Sequence, residues 1–254
     1  MKKLFLFILT LLTPALTHAD GFFGKQGVSY PINTIEILEE FNGGNNSSST
    51  IGDFGLGIAA SPGTITSSHV APIANHIGNR NIQISATINT VGTLSLTGTF
   101  GANFNNGGFA QLYDQTVIIR PQTNTLQELR VGFGIFGTAA ANMPPSSGIY
   151  FEQDTAGANP TTWVCVTRSG GTSTATNSAI TVSTNTWYKF RVLRWATANV
   201  AFFIDGVNVC NHTTNIPTAY GSNASYSSSE ENLEAAVKSY DIDLLYVKIL
   251  NQQR

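Results

Sequence analysis

Three runs of this sequence carry residue types that recognise uncharged, hydroxyl-rich molecules. Tyr150 and Glu152 alternate in one run, and Trp163 and Arg168 occupy the next, where a hairpin would set the two runs side by side. Further along, Trp187, Lys189 and Arg191 fall on one parity of a third run. An aromatic ring covers the C–H face of a sugar while carboxylate, amide and guanidinium groups satisfy its hydroxyls, so one groove needs both types. These are the candidate ligand-binding residues. Each has a plainer alternative, because a Trp in a large β-protein more often fills the core, and Lys and Arg more often form a solvated face.

Catalytic patterns are harder to find. A retaining glycosidase needs two carboxyl groups about 5 Å apart, which a strand supplies through alternating residues of the form E-x-D-x-x-E. The nearest run is Asp241-Ile242-Asp243, which lacks both glutamates and reads as the solvent face where the last strand begins. Glu152 and Asp154 share a parity and could line a groove, whereas Glu230 and Glu231 follow a Ser-rich stretch and read as surface charge. A lyase would need a Tyr or His base beside an Arg or Gln, and Tyr188 and Arg191 are of those types. No G-x-S-x-G elbow occurs, and His69, His76 and His212 are scattered without metal spacing. No catalytic residue, metal site or cofactor is assigned. Calcium held by backbone and Asp oxygens stays open, since such sites are discontinuous in sequence.

The elements that must position these residues are strands. From Gly148 to Pro217 the chain reads as successive hairpins, the clearest being Ala201 to Ile204 and Val207 to Cys210 around Asp205-Gly206, a pair suited to a two-residue turn. Upstream candidates are Ile35–Phe41, Ile51–Ile58, Ile82–Ile88, Thr93–Phe100, Phe109–Arg120 and Glu128–Phe136. In the last of these, Leu129, Val131, Phe133 and Ile135 share one face, which should be core. Polar loops are expected at 43–50, 101–108, 139–147 and 220–229. Leu233–Ser239 has helical propensity but lies between strand candidates, and Ile242–Leu250 closes the chain as an interior strand. The count predicts an all-β fold, two antiparallel sheets packed into a sandwich.

Lys2 and Lys3, the apolar stretch Leu4–Leu12 and Thr17-His18-Ala19 have the form of a secretory leader, residues 1–19, cleaved before Asp20. Residues 20–254 are then a single sandwich domain outside the cytoplasm, with no later span for a bilayer. Charged residues make up only 11% of the chain, 13 basic against 15 acidic, which argues against nucleic acid as a partner. A glycan or another protein surface suits such a neutral, hydrogen-bonding exterior better; the assembly state is not legible. Cys165 and Cys210 fall on predicted strands, where export permits a disulfide and two buried thiols are the alternative.

The series G-I-Y-F-E-Q-D (148–154), W-V-C-V-T-R (163–168), T-W-Y-K-F-R (186–191), F-F-I-D-G (202–206), H-T-T-N-I-P (212–217) and D-I-D-L-L-Y-V (241–247) resembles the concanavalin A-like, or laminin G-like, sandwiches of tailed-phage structural and tail-fibre proteins. Upstream, E-E-F (39–41) followed by I-G-D-F-G (51–55) is similar to the opening of those domains. The resemblance implies a jelly roll used for glycan contact or virion structure. It leaves three readings: a secreted, non-catalytic module that binds glycans or serves adhesion, a glycoside hydrolase or polysaccharide lyase on the same scaffold, and a phage-derived virion subunit.

Overall fold

The computed structural model describes residues 34–41, 45–46, 49–71, 76, 78–96, 112–134, 144–218 and 225–250. The expected leader, the Gly-Asn run 101–108 and residues 139–143 of the next loop lie outside them. In chain order the strands open with β1 (Thr34–Glu39), β2 (Asn45–Asn46), β3 (Thr50–Gly52), β4 (Leu56–Ser61), β5 (Ile65–His69), β6 (Arg80–Ile84) and β7 (Val91–Ser95). Five longer ones follow: β8 (Leu112–Pro121), β9 (Gln127–Gly134), β10 (Gly148–Asp154), β11 (Thr162–Ser169) and β12 (Thr172–Thr181). The last are β13 (Tyr188–Ala196), β14 (Asn199–Ile204), β15 (Val207–His212), β16 (Ser225–Asn232) and β17 (Lys238–Leu250).

They form two antiparallel sheets, a jelly-roll-like sandwich. The eight-stranded sheet runs β15-β14-β13-β8-β17-β6-β5, with β1 also on β17. The nine-stranded sheet runs β12-β11-β10-β9-β16-β7-β4-β3-β2. Period-2 alternation sends Leu129, Val131 and Phe133 of β9 and Phe190 and Val192 of β13 into one shared core. Asp205 and Gly206 both take positive φ, 51° and 83°, as the two-residue turn between β14 and β15 requires.

Two devices tie the sheets and the entry of the chain together. Cys165 of β11 and Cys210 of β15 are joined across the sandwich by a disulfide, worth about 4 kcal/mol for a closed loop of this length in the chain-entropy account. Glu39, buried at the end of β1, accepts the amides of Phe41 and Phe54 at 2.9 Å each. That bond joins the E-E-F and I-G-D-F-G runs. Gly52 lacks a side chain where a Cβ would come within 2.4 Å of the Glu39 carboxyl.

The structure corrects three expectations. The Ser-rich stretch expected as a loop is β16 from Ser225 onward, inserted between β9 and β7. Residues 233–237, for which strand or helix was open, are a short connection into β17. Glu230 and Glu231 are buried, not surface charge.

Candidate functional site

Alternation leaves each sheet an outer face, and the nominated residues divide between them. On the nine-stranded sheet, Glu231, Glu128 and Asp154 stand in one row across β16, β9 and β10. The next row is Ser229, Arg130, Glu152 and Val164; beyond it come Gly132, Tyr150 and Val166, then Gly134, Gly148 and Arg168. Tyr150, Glu152 and Arg168 therefore do share a face. Trp163 does not, because the β10–β11 register sets Val164 opposite Glu152 and turns the indole inward. There it packs edge-on to Phe190, ring centroids 4.7 Å apart, as core.

Arg130 organises this face. Its guanidinium bonds Glu128 at 2.6 Å and Glu152 at 2.7 Å while being only 1% exposed. Burial alone would loosen its proton, but the two carboxylates outweigh that and hold it more tightly than usual. Glu231, lifted mainly by burial and then by the neighbouring Glu128, is pushed up to about 7, and Glu128 is raised for the same leading reason. The two carboxyl groups stand directly opposite each other across the β16–β9 pair. Tyr150 is buried beside them and its hydroxyl is pushed above the ordinary phenol range by burial, then by Glu152. Its ring fits because positions 132 and 148 are Gly: a Cβ on Gly132, at φ +155°, would sit 2.4 Å from the Ile149 carbonyl oxygen, and one on Gly148 would sit 2.9 Å from the ring.

The outer face of the eight-stranded sheet is different in kind. One row crosses five strands as Leu38, Tyr246, Thr116, Arg191 and Phe203. Arg191, 40% exposed, makes a two-pronged bond to Asp114 at 2.8 and 2.7 Å and lies 5.3 Å over the Phe203 ring. Lys189 on the same strand is exposed. Nearby Lys248 pairs with Glu36, and Leu38 and Trp195 are about half exposed.

At one end of this face Trp187 is held between two partners. The His76 ring stacks on it at 4.1 Å and 14°, and the Arg120 guanidinium lies 4.9 Å from its centroid. His76 in turn bonds Asp243 at 2.9 Å. Asp241 receives Arg120, Asn81 and Gln122 and is only 1% exposed, so it is not the solvent-facing carboxylate the sequence suggested. The proposed lyase pair is split: the Tyr188 hydroxyl points inward and donates to the Thr181 carbonyl at 3.0 Å, while Arg191 points out. Among the described residues no three His, Cys, Asp or Glu side chains converge as a metal would need, and no helix is long and apolar enough to cross a membrane.

Arg130 and Glu128 are not among the residues the sequence nominates, although both stand on the polar parity of the Glu128–Phe136 run, and Glu231 reads there as surface charge. A family model described as SO2946-like, C-terminal domain, matches residues 75–243, which spans both outer faces from β6 into β17. The chain belongs to that family. The SO2946-like chain superposes on the protein of unknown function SO2946 from Shewanella oneidensis MR-1 with a TM-score of 0.62 at 16% identity, covering 87% of this chain and 89% of that one. It also matches the binding domain of botulinum neurotoxin DC in complex with rat synaptotagmin II, TM-score 0.52 at 11% identity, over 84% of this chain and 47% of that one. A third match is a structure of botulinum neurotoxin type C, a toxin whose way into cells depends upon interaction with two ganglioside molecules, TM-score 0.51 at 12% identity over 86% and 49%. The SO2946-like chain spans about half the length of these toxin structures, and at such identities the likeness is one of fold. No curated protein matches it by sequence.

Proposed function

We propose that this chain is an exported, non-catalytic binding module that presents the outer face of its eight-stranded sheet to an uncharged, hydroxyl-rich partner, a glycan before a protein surface. Residues 1–19 serve as the leader and 20–254 as the single binding domain. The observation that carries the reading is the half-buried row of Tyr246, Arg191 and Phe203, aromatic rings on either side of a guanidinium whose charge Asp114 already balances. Rings offer stacking area to sugar C–H faces, and the fixed Arg191–Asp114 pair offers both donors and acceptors without a net field. The toxin domains of like fold, described with a ganglioside and a protein partner, support a module that binds. A glycan array probed with residues 20–254 should give hits that Arg191→Ala and Phe203→Ala weaken at least about tenfold, the loss of one good contact. Hits unchanged by either substitution, or none at all, would overturn it.

The opposite face favours a second reading, a glycoside hydrolase. Glu231, pushed up to about 7 mainly by burial, stands opposite Glu128, and Glu152 lies across Arg130 from them, so a carboxyl that holds its proton more tightly and an arginine-paired carboxyl share one face. Release of reducing ends from an arrayed glycan, abolished by Glu231→Gln, would establish that reading in place of the first.

A further inference from the structure

Sheets end in edge strands, and an edge with free backbone groups pairs with whatever strand reaches it unless something guards it. Four of the edges described here are guarded. β2 is two residues long, and β5 is five and ends at His69, which bonds Arg80. β1 carries Glu36, and β15 is bulged where it meets β14 at Phe202 and Phe203. β12 is the exception. It is ten residues long, T-S-T-A-T-N-S-A-I-T, with no charge and no Pro, and among the described residues it pairs only with β11. Its irregularity comes after Asn177, so Thr172–Asn177 is an unbroken extended edge.

The same segment is held rigid from behind. Thr174 bonds the Thr214 hydroxyl at 2.7 Å and receives the Asn215 amide at 3.0 Å, and Thr176 bonds His212 Nε2 at 3.0 Å. The disulfide fixes the β11–β15 link one strand away. Ser173, Ala175 and Asn177, of the opposite parity, are exposed. We infer that Thr172–Asn177 is the surface through which two copies of this chain associate, antiparallel and edge to edge, joining their nine-stranded sheets into one. The partner is a second copy because the segment is self-complementary. Turned about a two-fold axis, it sets small neutral side chains against small neutral side chains, with no like charges to oppose pairing. A charged or aromatic partner would find nothing on it to recognise.

Sedimentation velocity of residues 20–254 across a wide concentration range tests this. The expected result is a species of twice the chain mass, lost in Ala175→Lys, where each copy brings a charge to the shared edge. Ser173→Lys serves as the second variant should the first fail to fold, and both should melt where the parent monomer does. Amide exchange at Thr172–Asn177 should slow as concentration rises. A mass that stays that of one chain at the highest concentration, or a dimer that survives both Lys variants, would overturn the inference.

Discussion

The two outer faces were built from the same alternation and ended as opposites. On the nine-stranded side, ionisable groups are sunk among one another: Arg130 is held by two carboxylates and Glu231 keeps a proton near neutrality. On the eight-stranded side, Arg191 with Asp114 and Lys248 with Glu36 pair while still open to solvent. Burial makes the difference. A charge withdrawn from water needs a partner for every lone pair and proton, whereas an exposed one keeps water as an alternative. The first face is thereby committed to its internal network, and the second keeps its side chains available to a visitor.

The comparison is broken most directly by removing each face's central arginine. Arg130→Ala should cost about 3–5 kcal/mol in urea unfolding, since it strands buried carboxylates. Arg191→Ala should cost under about 1 kcal/mol. Equal losses would erase the distinction.

A pH series sharpens it next. Glu230, neighbour of Glu231 on β16, points between the sheets, fully buried, with neither carboxyl oxygen hydrogen-bonded among the described residues; burial lifts it to about 8 although Lys238 pulls the other way. A carboxyl raised in the folded state binds its proton there more tightly than in the unfolded chain. Its contribution is therefore complete below about pH 4.5 and is lost as pH climbs through 7 for Glu231 and 8 for Glu230. Stability should fall from pH 5 to pH 8, by at most about 1.4 kcal/mol per pH unit for each group. Glu230→Gln should flatten the curve, as denaturant midpoints at several pH values would reveal. A smaller effect, about 1–3 kcal/mol, is expected from Gly132→Ala, which brings a Cβ against the β10 backbone beside Tyr150 at a φ that side chains avoid.

Smallest of all in stability is Phe203→Ala, partly exposed on the binding row. Its thermal midpoint should move little while glycan retention drops, separating recognition from folding. A large fall in midpoint would instead make Phe203 a structural support for Arg191.

Much of this was legible in the chain. Leu129, Val131 and Phe133 alternate and are core, Asp205-Gly206 turns as its residues require, and Cys165 and Cys210 meet. These follow from local rules: side-chain period, permitted backbone angles and thiol chemistry. Parity, however, states only which residues share a face, never which face turns inward. Parity alone separates Trp163 from Arg168, but it took the β10–β11 register to set Arg168 on the face of Tyr150 and Glu152, and the packing of the second sheet to make the Trp163 side the core. Nor did S-S-S-E-E-N look like a strand, since Ser has little intrinsic preference for one. Pairing on both sides, by β7 and β9, imposed β16 and buried its glutamates. The sequence determined an all-β chain and its turns, because those are set by neighbours along the backbone. The tertiary structure alone decided which charges met and which stayed in water, because that depends on strands brought together from far apart in the chain.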